Sequence, residues 1–535
     1  MRTNAHIRTV RDAAFEVLRA EGMTTLFANP GSTEVPFLAG LPDDLRFVLA
    51  LHEGTVVGAA TGWALTRDAP ALVLLHTTAG LGNAVGALAT ARENRAPLVV
   101  LVGQQDRRHL VQEPFLAGRL EGLAGDYPVR CETPPRAQDV PGALARAAHA
   151  ARAWRGPALV VVPMDDWAAP AEDLPLPAPV RRRQATAADP DAVEEVAGIL
   201  ARSSAPALVV GAAADTAAVW SALTGLAERL RCPVWQEAFG ARAGFPQDHP
   251  QFAGHLPADR ERLREVLSDH DLVLVVGAPV LRQYGYRAGP LVPAGSGTRL
   301  VLVTDQGAEA ERAPVELAAV APLASFCAAL TERISERSGT PAPRFPRANP
   351  PAPPEPGEHL RAGHVLAALA ERLSPDTVVV EETPSSRPAL HALLPARRPL
   401  GFLSAAMGGL GFALPAAVGA RMADPGRPVV AVVGDGSSLY QPHALWTAAH
   451  YGVGVLFVVL TNGRYAILDQ LAAGHRARGP WPPFPEIDLT ALAASLSCPA
   501  RKITDPPALL STLDSVLPTL AHRTEPLLLD VRIAP

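Results

Sequence analysis

The chain contains PVVAVVGDGSS at residues 428–438 and, shortly after it, GVGVLFVVLTNG at residues 452–463. Both runs are aliphatic without alternation, which is typical of parallel strands buried on both faces. The helix-length segment between them predicts a strand–helix–strand unit, which brings both strand ends to one edge of a sheet. Asp435 and Asn462 then lie at that edge. The sequence therefore predicts a parallel α/β sheet with a polar site at its carboxyl edge.

The same pattern of aliphatic runs and helix-length segments recurs through the whole chain. Pro-rich stretches at 169–190 and 338–358 are predicted to be linkers between three blocks. The predicted strands are 24–28, 71–75, 97–103, 158–163, 206–211, 271–277, 299–304, 377–381, 428–433, 454–461 and 526–531. The predicted helices include 53–66, 83–93, 214–229 and 443–451. We therefore predict three doubly wound α/β domains with parallel sheets.

Composition and charge argue against several classes of partner. Charged residues make up 19% of the chain and the net charge is -5, so it lacks the basic excess that nucleic acid or an anionic membrane requires. The cysteines are far apart and form no CxxC pair, which argues against a zinc site or a disulfide framework. The N-terminus lacks the apolar segment of a signal peptide, and the apolar runs are too short to span a bilayer. We expect a cytoplasmic protein that binds neither nucleic acid nor membrane.

The edge that carries Asp435 and Asn462 offers carboxylate and amide oxygens, which are suitable ligands for Mg²⁺. Gly436 lets the backbone approach a phosphate, and the helix N-terminus after it favours anions. An isolated Gly-Asp-Gly is usually a plain turn, but its pairing with Asn462 at the next strand end favours a metal and phosphate site. A dinucleotide site is less favoured, because the near GxGxxG that opens at Gly409 has Leu414 where the third glycine belongs.

This pair of motifs resembles the signature of the thiamine-diphosphate-dependent enzymes. In that family the Asp, the Asn and a backbone carbonyl two residues later hold Mg²⁺. The resemblance implies Asp435, Asn462 and the carbonyl of Arg464 as the metal ligands here. The same segment supplies the implied cofactor-binding positions Gly436, Ser437 and Tyr465.

Thiamine chemistry also needs a buried carboxylic acid beside the aminopyrimidine ring, because this acid relays the activating proton. Glu53 begins an apolar helix and takes that role by resemblance, although the helix dipole would favour a Glu there in any protein. Segment 404–415 resembles the family segment in which a bulky aliphatic residue bends the cofactor. This implies Leu410 in that place and the Gly408 carbonyl as acceptor for the 4′-amino group. Ser385 is a candidate phosphate donor.

Glu53 and Asp435 fall in the first and third blocks of the chain. In this family the two halves of each active site come from different subunits. The resemblance implies a pyrimidine-binding domain at 1–170, a central domain at 190–335 and a diphosphate-binding domain at 358–535. It also implies a homo-oligomer, a dimer or a tetramer, with active sites at the interface.

Within the family the chain is similar to the benzoylformate decarboxylases along nearly its whole length, notably at NPGSTEVPFL (29–38) and LLHTTAGLGNA (74–84). In those enzymes the serine of the first motif holds the substrate carboxylate, which implies Ser32. The strand-end histidine takes part in proton transfer, which implies His76, and imidazole suits this work near neutral pH. The ordinary alternatives are a helix-capping Ser32 and a structural His76.

One position departs from that likeness. The relatives have a second active-site histidine where PVLRQYGY (279–286) places Tyr284, and a tyrosine hydroxyl is a poor acid at neutral pH. The predicted activity is decarboxylation of a 2-oxo acid, aryl or bulky aliphatic, to an aldehyde and CO₂ with thiamine diphosphate and Mg²⁺. Because of Tyr284, a carboligase that forms a 2-hydroxy ketone stays possible. A non-catalytic α/β binding protein would require Glu53, Leu410 and the Asp435–Asn462 pair to be coincidental.

Overall fold

The computed structural model describes residues 7–172, 186–292, 295–338, 342–355 and 357–534. Within these residues the chain forms three α/β domains, each built on a six-stranded sheet whose neighbouring strands are parallel. The central strands of each sheet are buried along their whole length between helices, which explains why their sequences do not alternate. The prediction of three doubly wound parallel sheets is confirmed.

Domain 1 contains β1 (Thr25–Asn29), β2 (Arg46–Leu49), β3 (Ala71–His76), β4 (Leu98–Gln104), β5 (Arg130–Glu132) and β6 (Pro157–Pro163). Its helices are α1 (Val10–Ala20), α2 (Val35–Leu38), α3 (Glu53–Arg67), α4 (Thr77–Glu93) and α5 (Val140–Trp154). Short 3-10 turns lie at Ser32–Glu34, Arg107–Gln112, Ala137–Asp139 and Met164–Ala168. The strand order is β2-β1-β3-β4-β6-β5.

Domain 2 contains β7 (Pro206–Val210), β8 (Val234–Gln236), β9 (Phe252–His255), β10 (Leu272–Val276), β11 (Arg299–Thr304) and β12 (Leu317–Val320). Its helices are α6 (Pro190–Arg202), α7 (Ala217–Leu230), α8 (Arg260–Ser268), α9 (Gly307–Arg312) and α10 (Leu323–Arg333), with a 3-10 turn at Ala212–Ala214. The strand order, β12-β11-β10-β7-β8-β9, differs from that of domain 1.

Domain 3 contains β13 (Val378–Glu382), β14 (Phe402–Ser404), β15 (Val429–Gly434), β16 (Leu456–Thr461), β17 (Ala500–Ile503) and β18 (Leu527–Arg532). Its helices are α11 (Ala362–Arg372), α12 (Arg387–Leu393), α13 (Ala413–Ala423), α14 (Asp435–Ser438), α15 (His443–His450), α16 (Ala466–Gly474), α17 (Leu489–Ser495) and α18 (Pro506–Val516), with a 3-10 turn at Leu517–His522. The strand order, β14-β13-β15-β16-β18-β17, repeats the order of domain 1.

Domains 1 and 3 therefore share a topological switch point at equivalent places. In domain 1 it lies between β1 and β3, and in domain 3 it lies between β13 and β15. Open α/β sheets bind ligands at the carboxyl ends of the strands at such points. Ser32, His76, Ser385 and Asp435 lie at or just after the ends of these four strands.

The same two domains are packed together along helices α3 and α13. A Cβ added to Gly62 would lie 2.0 Å from the carbonyl oxygen of Ala416, and one added to Gly419 would lie 1.8 Å from that of Ala59. Only glycine permits this close approach of the two helix backbones. Buried residues of both helices belong to one hydrophobic cluster that joins the domains.

Strands that sequence analysis missed are short and lie mainly towards the sheet edges: β2, β5, β8, β9, β12, β14 and β17. Several of them are only partly buried and have no continuous aliphatic run. Of the two predicted linkers, residues 173–185, 339–341 and 356 lie outside the described residues, and 342–355 forms neither helix nor strand. No helix in the described part of the chain is long and apolar enough to cross a membrane.

Candidate active site

Asp435 fastens two neighbouring strand ends of domain 3. It follows β15, and its Oδ1 accepts a hydrogen bond from the N–H of Gly436 at 2.8 Å. Its Oδ2 accepts from the N–H groups of Asn462 at 2.9 Å and Gly463 at 2.6 Å, just after β16. Burial raises the pKa of Asp435 above its ordinary value, and these three N–H groups oppose that rise because they stabilise the carboxylate.

The oxygen donors at this turn fit Mg²⁺. Asn462 Oδ1 accepts from the N–H of Arg464 at 3.1 Å and keeps a second lone pair, as the Asp435 carboxylate also does. A carboxylate, an amide oxygen and a backbone carbonyl form a hard, partial ligand set that phosphate and water complete around Mg²⁺. These residues would therefore hold the metal together with a diphosphate.

A cavity at this turn brings together most of the cofactor residues predicted from the sequence. Every residue that lines it belongs to domain 3. The predicted residues among them are Ser385, Leu410, Asp435, Gly436, Ser437, Asn462, Arg464 and Tyr465. Tyr465 packs against Phe484, with ring centroids 5.1 Å apart, and a Cβ on Gly436 would touch the Tyr465 ring. The aromatic ring therefore covers the turn that is predicted to bind phosphate.

Residues 405–412 lead from β14 to α13 and are held at their far end by Glu382. The N–H groups of residues 411–413 donate to the Glu382 carboxylate at 2.7–2.8 Å. Burial raises the pKa of Glu382 to about 7, although these N–H groups lower it. Gly408, at φ +69°, is exposed in the turn before Leu410 and does not itself line the cavity. Sequence analysis missed Glu382, which stands one residue beyond the predicted end of its strand.

Glu53 lies at the corresponding edge of domain 1. It is 8% exposed, and its two carboxylate oxygens accept from Asn29 Nδ2 and Asn83 Nδ2, each at 3.1 Å. His52 caps the helix that Glu53 begins, because its Nδ1 accepts the N–H of Gly54 at 3.0 Å. The carboxyl group is therefore buried and oriented from both sides, as a proton relay requires.

His76 ends β3 and is oriented by a buried carboxylate. Its Nδ1 lies 2.9 Å from Glu34 Oε2 and 3.0 Å from Thr33 Oγ1. Glu34 is 1% exposed, and it also accepts the N–H of Gly31 at 2.7 Å and the hydroxyl of Thr33. A proton on Nδ1 that bonds to the carboxylate leaves Nε2 of the neutral ring as the proton-accepting atom. Glu34 was not predicted as a site residue, because its burial depends on the fold.

Two predicted catalytic residues remain in solvent in the single chain. Ser32 is exposed and starts the 3-10 turn after β1, and the capping position of that turn is occupied by Gly31. Tyr284 follows β10 in domain 2, its backbone N–H donates to the carbonyl of Ala258, and it is 73% exposed. The structure thus places His76 against Glu34, and it places Glu53 between two asparagines. The role of Tyr284 stays a prediction.

Three protein-family models match successive parts of the chain. The thiamine pyrophosphate enzyme N-terminal TPP binding domain matches residues 8–118, the central domain matches 193–330, and the C-terminal TPP binding domain matches 385–531. These matches fall on domains 1, 2 and 3, and they include the strand edges that carry Glu53 and Asp435.

Individual relatives agree with the family models. The chain is 42% identical to a benzoylformate decarboxylase of Pseudomonas aeruginosa over 475 residues, covering 87% of this chain and 88% of that one. A thiamine diphosphate-dependent 4-hydroxybenzoylformate decarboxylase of Rhodococcus jostii has a TM-score of 0.92 at 36% identity, covering 98% and 99% of the two chains. A benzoylformate decarboxylase of Polynucleobacter necessarius gives 0.92 at 34% identity with the same coverage.

Acetolactate synthases are more distant relatives, and the large subunit of isozyme 2 from Escherichia coli is 25% identical over 85% of this chain and 83% of its own. The close relatives and structural neighbours are benzoylformate decarboxylases, which are lyases. The chain belongs to the thiamine-diphosphate-dependent enzymes and resembles the benzoylformate decarboxylases of that family along nearly its whole length.

Proposed function

We propose that the protein decarboxylates an aryl 2-oxo acid of the benzoylformate type to an aldehyde and CO₂, with thiamine diphosphate and Mg²⁺. The observation that carries this proposal is the His76–Glu34 pair beside Ser32, at the same sheet edge as Glu53. At this edge Glu53 supplies a buried carboxyl group for activation, His76 an oriented imidazole for proton transfer, and Ser32 a hydroxyl for the substrate carboxylate. The names of the similar proteins supply the substrate class.

Each half of the site has a separate task. Asp435, Asn462 and the carbonyl of Arg464 hold Mg²⁺, and the turn at 434–437 receives the diphosphate. When bound, thiamine diphosphate supplies a nucleophilic carbon and an electron sink for the loss of CO₂. Glu53 would hold the proton that activates the cofactor, at its buried carboxyl group beside the aminopyrimidine.

Ser32 and His76 act on the substrate. The Ser32 hydroxyl donates to the carboxylate of the 2-oxo acid and orients it. The Nε2 of His76 moves the proton that the substrate oxygen gains and later loses, while Glu34 keeps the ring in position.

We further propose that each site is completed by a second copy of the chain. All residues that line the cavity at Asp435 come from domain 3, whereas Glu53 and His76 lie in domain 1. The α3–α13 contact fixes these domains against each other within one chain. We therefore do not expect the Asp435 cavity and the Glu53 edge of the same chain to move together into one site. A homodimer, or a tetramer of two such dimers, brings the complementary edges together.

Carboligation is the second candidate function. It is favoured by Tyr284, which stands where the benzoylformate decarboxylases have a histidine and is 73% exposed. A tyrosine hydroxyl is a weaker acid than an imidazolium and would deliver the proton for aldehyde release more slowly, which would favour reaction with a second carbonyl compound. The product is then a 2-hydroxy ketone instead of an aldehyde.

One incubation separates these functions. The protein, Mg²⁺, thiamine diphosphate and benzoylformate are combined with and without acetaldehyde, and CO₂, benzaldehyde and 2-hydroxy ketone are measured. Free benzaldehyde as the main product supports the decarboxylase, and ketone as the main product supports the carboligase. Tyr284→His is expected to raise the aldehyde-to-ketone ratio, and Tyr284→Phe serves as the matched control. No CO₂ from benzoylformate and no binding of thiamine diphosphate would contradict both.

A further inference from the structure

Asn94 joins domain 1 to the segment that leads into the cofactor site of domain 3. It caps the end of α4 and is 2% exposed. Its Nδ2 donates to the carbonyl of Ser404 at 2.9 Å, and its Oδ1 accepts the N–H of Ala406 at 2.8 Å. One side-chain amide therefore satisfies a backbone acceptor and a backbone donor two residues apart, as a neighbouring strand would.

This contact extends an attachment that begins in domain 2. The N–H of Ser404 donates to the carbonyl of Ala241 at 2.9 Å, and Leu403 forms an isolated bridge with Arg242. After the N–H of Ser404 this pairing with domain 2 ends. The next backbone groups, the Ser404 carbonyl and the Ala406 N–H, are hydrogen-bonded to Asn94 instead. The segment 404–406 is thus fastened on one side by domain 2 and on the other by Asn94.

The residues on either side of Asn94 are themselves fixed. Glu93 lies 3.3 Å from a guanidinium nitrogen of Arg282, and Arg95 lies 2.8 Å from a carboxylate oxygen of Asp305. Both partners belong to domain 2. Because these ion pairs flank Asn94 in sequence, the amide is held at a corner where all three domains meet.

The fastened segment leads directly into the part of the chain that shapes the cofactor cavity. The N–H of Gly408 donates to the carbonyl of Ala405 at 3.1 Å, Leu410 lines the cavity, and residues 411–413 are bound by Glu382. The stretch 404–413 is therefore anchored at its start by Asn94 and at its end by Glu382. The positions of the Gly408 carbonyl and the Leu410 side chain depend on both anchors.

We propose that Asn94 is a positioning residue that sets the place of the Gly408 carbonyl and Leu410 against the organic part of thiamine diphosphate. This inference rests on the proposed function. The diphosphate is held separately, by the turn at Asp435. Loss of Asn94 is therefore expected to weaken binding of the whole cofactor but not of inorganic pyrophosphate with Mg²⁺.

Calorimetric titration of the full-length protein with each of these two ligands, in the presence of Mg²⁺, tests the proposal. Asn94→Ala removes two buried hydrogen bonds and is expected to lower the affinity for thiamine diphosphate roughly tenfold, with the affinity for pyrophosphate unchanged. Asn94→Asp keeps the acceptor for the N–H of Ala406 but places a buried carboxylate oxygen against the carbonyl of Ser404, so it should not restore the affinity. Amide hydrogen exchange at Ala406, measured without cofactor, should accelerate in Asn94→Ala.

Gln251→Ala is the matched control, because Gln251 makes two buried hydrogen bonds to backbone carbonyls inside domain 2. It is expected to lower thermal stability without changing the ratio of the two affinities. An equal loss for both ligands in Asn94→Ala, or no loss, overturns the positioning role. Absence of thiamine diphosphate binding by the unchanged protein overturns instead the proposed function on which the inference rests.

Discussion

The two halves of the proposed site differ in how far one chain assembles them. In domain 3 the metal and diphosphate residues surround one cavity, and backbone N–H groups hold both oxygens of Asp435. In domain 1 Glu53 and His76 are each oriented by hydrogen bonds, but Ser32 beside them is exposed to solvent. The residues proposed to hold the metal and the diphosphate lie together in one chain, whereas the residues proposed to act on the aminopyrimidine and the substrate form a separate, partly exposed group.

The two halves are therefore expected to control different properties of the enzyme. In the proposed function the domain 3 half holds the metal and the diphosphate. The domain 1 half, together with Tyr284, would determine what happens to the substrate. Substitutions in one half should therefore change cofactor affinity, and substitutions in the other should change turnover.

The largest expected effect comes from Glu53→Gln, which keeps the size of the side chain and one of its two acceptor oxygens but removes its ionisable proton. We expect kcat for benzoylformate decarboxylation to fall about 10²–10⁴-fold, the usual range for loss of an acid–base group. Binding of thiamine diphosphate, measured by calorimetry, should change little. Full activity in this variant would remove Glu53 from its proposed role.

Co-expression of Glu53→Gln and Asp435→Asn chains tests whether the two halves come from different subunits. A mixed dimer would contain one site with both changes and one site with neither, so random assembly should restore about a quarter of the original activity. Each variant alone supplies the control. No recovery in dimers shown to be mixed would indicate that both halves come from one chain.

A moderate effect is expected from Glu34→Gln, because the amide no longer holds His76 with a negative charge. We expect kcat to fall roughly tenfold, a small part of the acid–base contribution, while the affinity for thiamine diphosphate stays constant. Arg8 contacts Glu16 on the surface of the same domain, so Glu16→Gln is a suitable control. An unchanged kcat in Glu34→Gln would contradict the orienting role.

The smallest effect concerns stability away from the site. His255 of domain 2 and His391 of domain 3 stack with ring centroids 3.7 Å apart, and burial lowers the pKa of His391 to about 3. Burial lowers the pKa of His255 as well, and Arg387 acts in the same direction on both. The unfolded chain binds protons at these rings near pH 6.5, so folding stability is lost as pH falls below that value towards 3.

His391→Phe keeps an aromatic ring in the stack but cannot bind a proton. The fall in unfolding midpoint between pH 7.5 and pH 5.5 should therefore be smaller than in the unchanged protein, by an amount that corresponds to about 1.4 kcal/mol per pH unit for each proton excluded. Thermal unfolding at both pH values measures it. An equal fall in both proteins would show that the buried stack does not contribute.

The sequence predicted three parallel α/β sheets, their inner strands and half of the residues that line the Asp435 cavity, because each of these depends on a local pattern. Continuous aliphatic runs identify strands buried on both faces, and Gly-Asp-Gly and Asn462 follow such runs directly. Glu34, Glu382 and Asn94 were not predicted. Their roles depend on backbone groups and side chains that only the folded chain brings near them, up to 312 positions away in the case of Asn94.

The α3–α13 contact has a consequence for how the protein tolerates change. Domains 1 and 3 are held together by this glycine-lined helix pair and not by the covalent path through domain 2. Insertions or deletions in the Pro-rich stretches between the domains should therefore leave the catalytic geometry intact. A bulky side chain at Gly62 or Gly419, although remote from the chemistry, would instead separate the two helices and misalign both halves of the site.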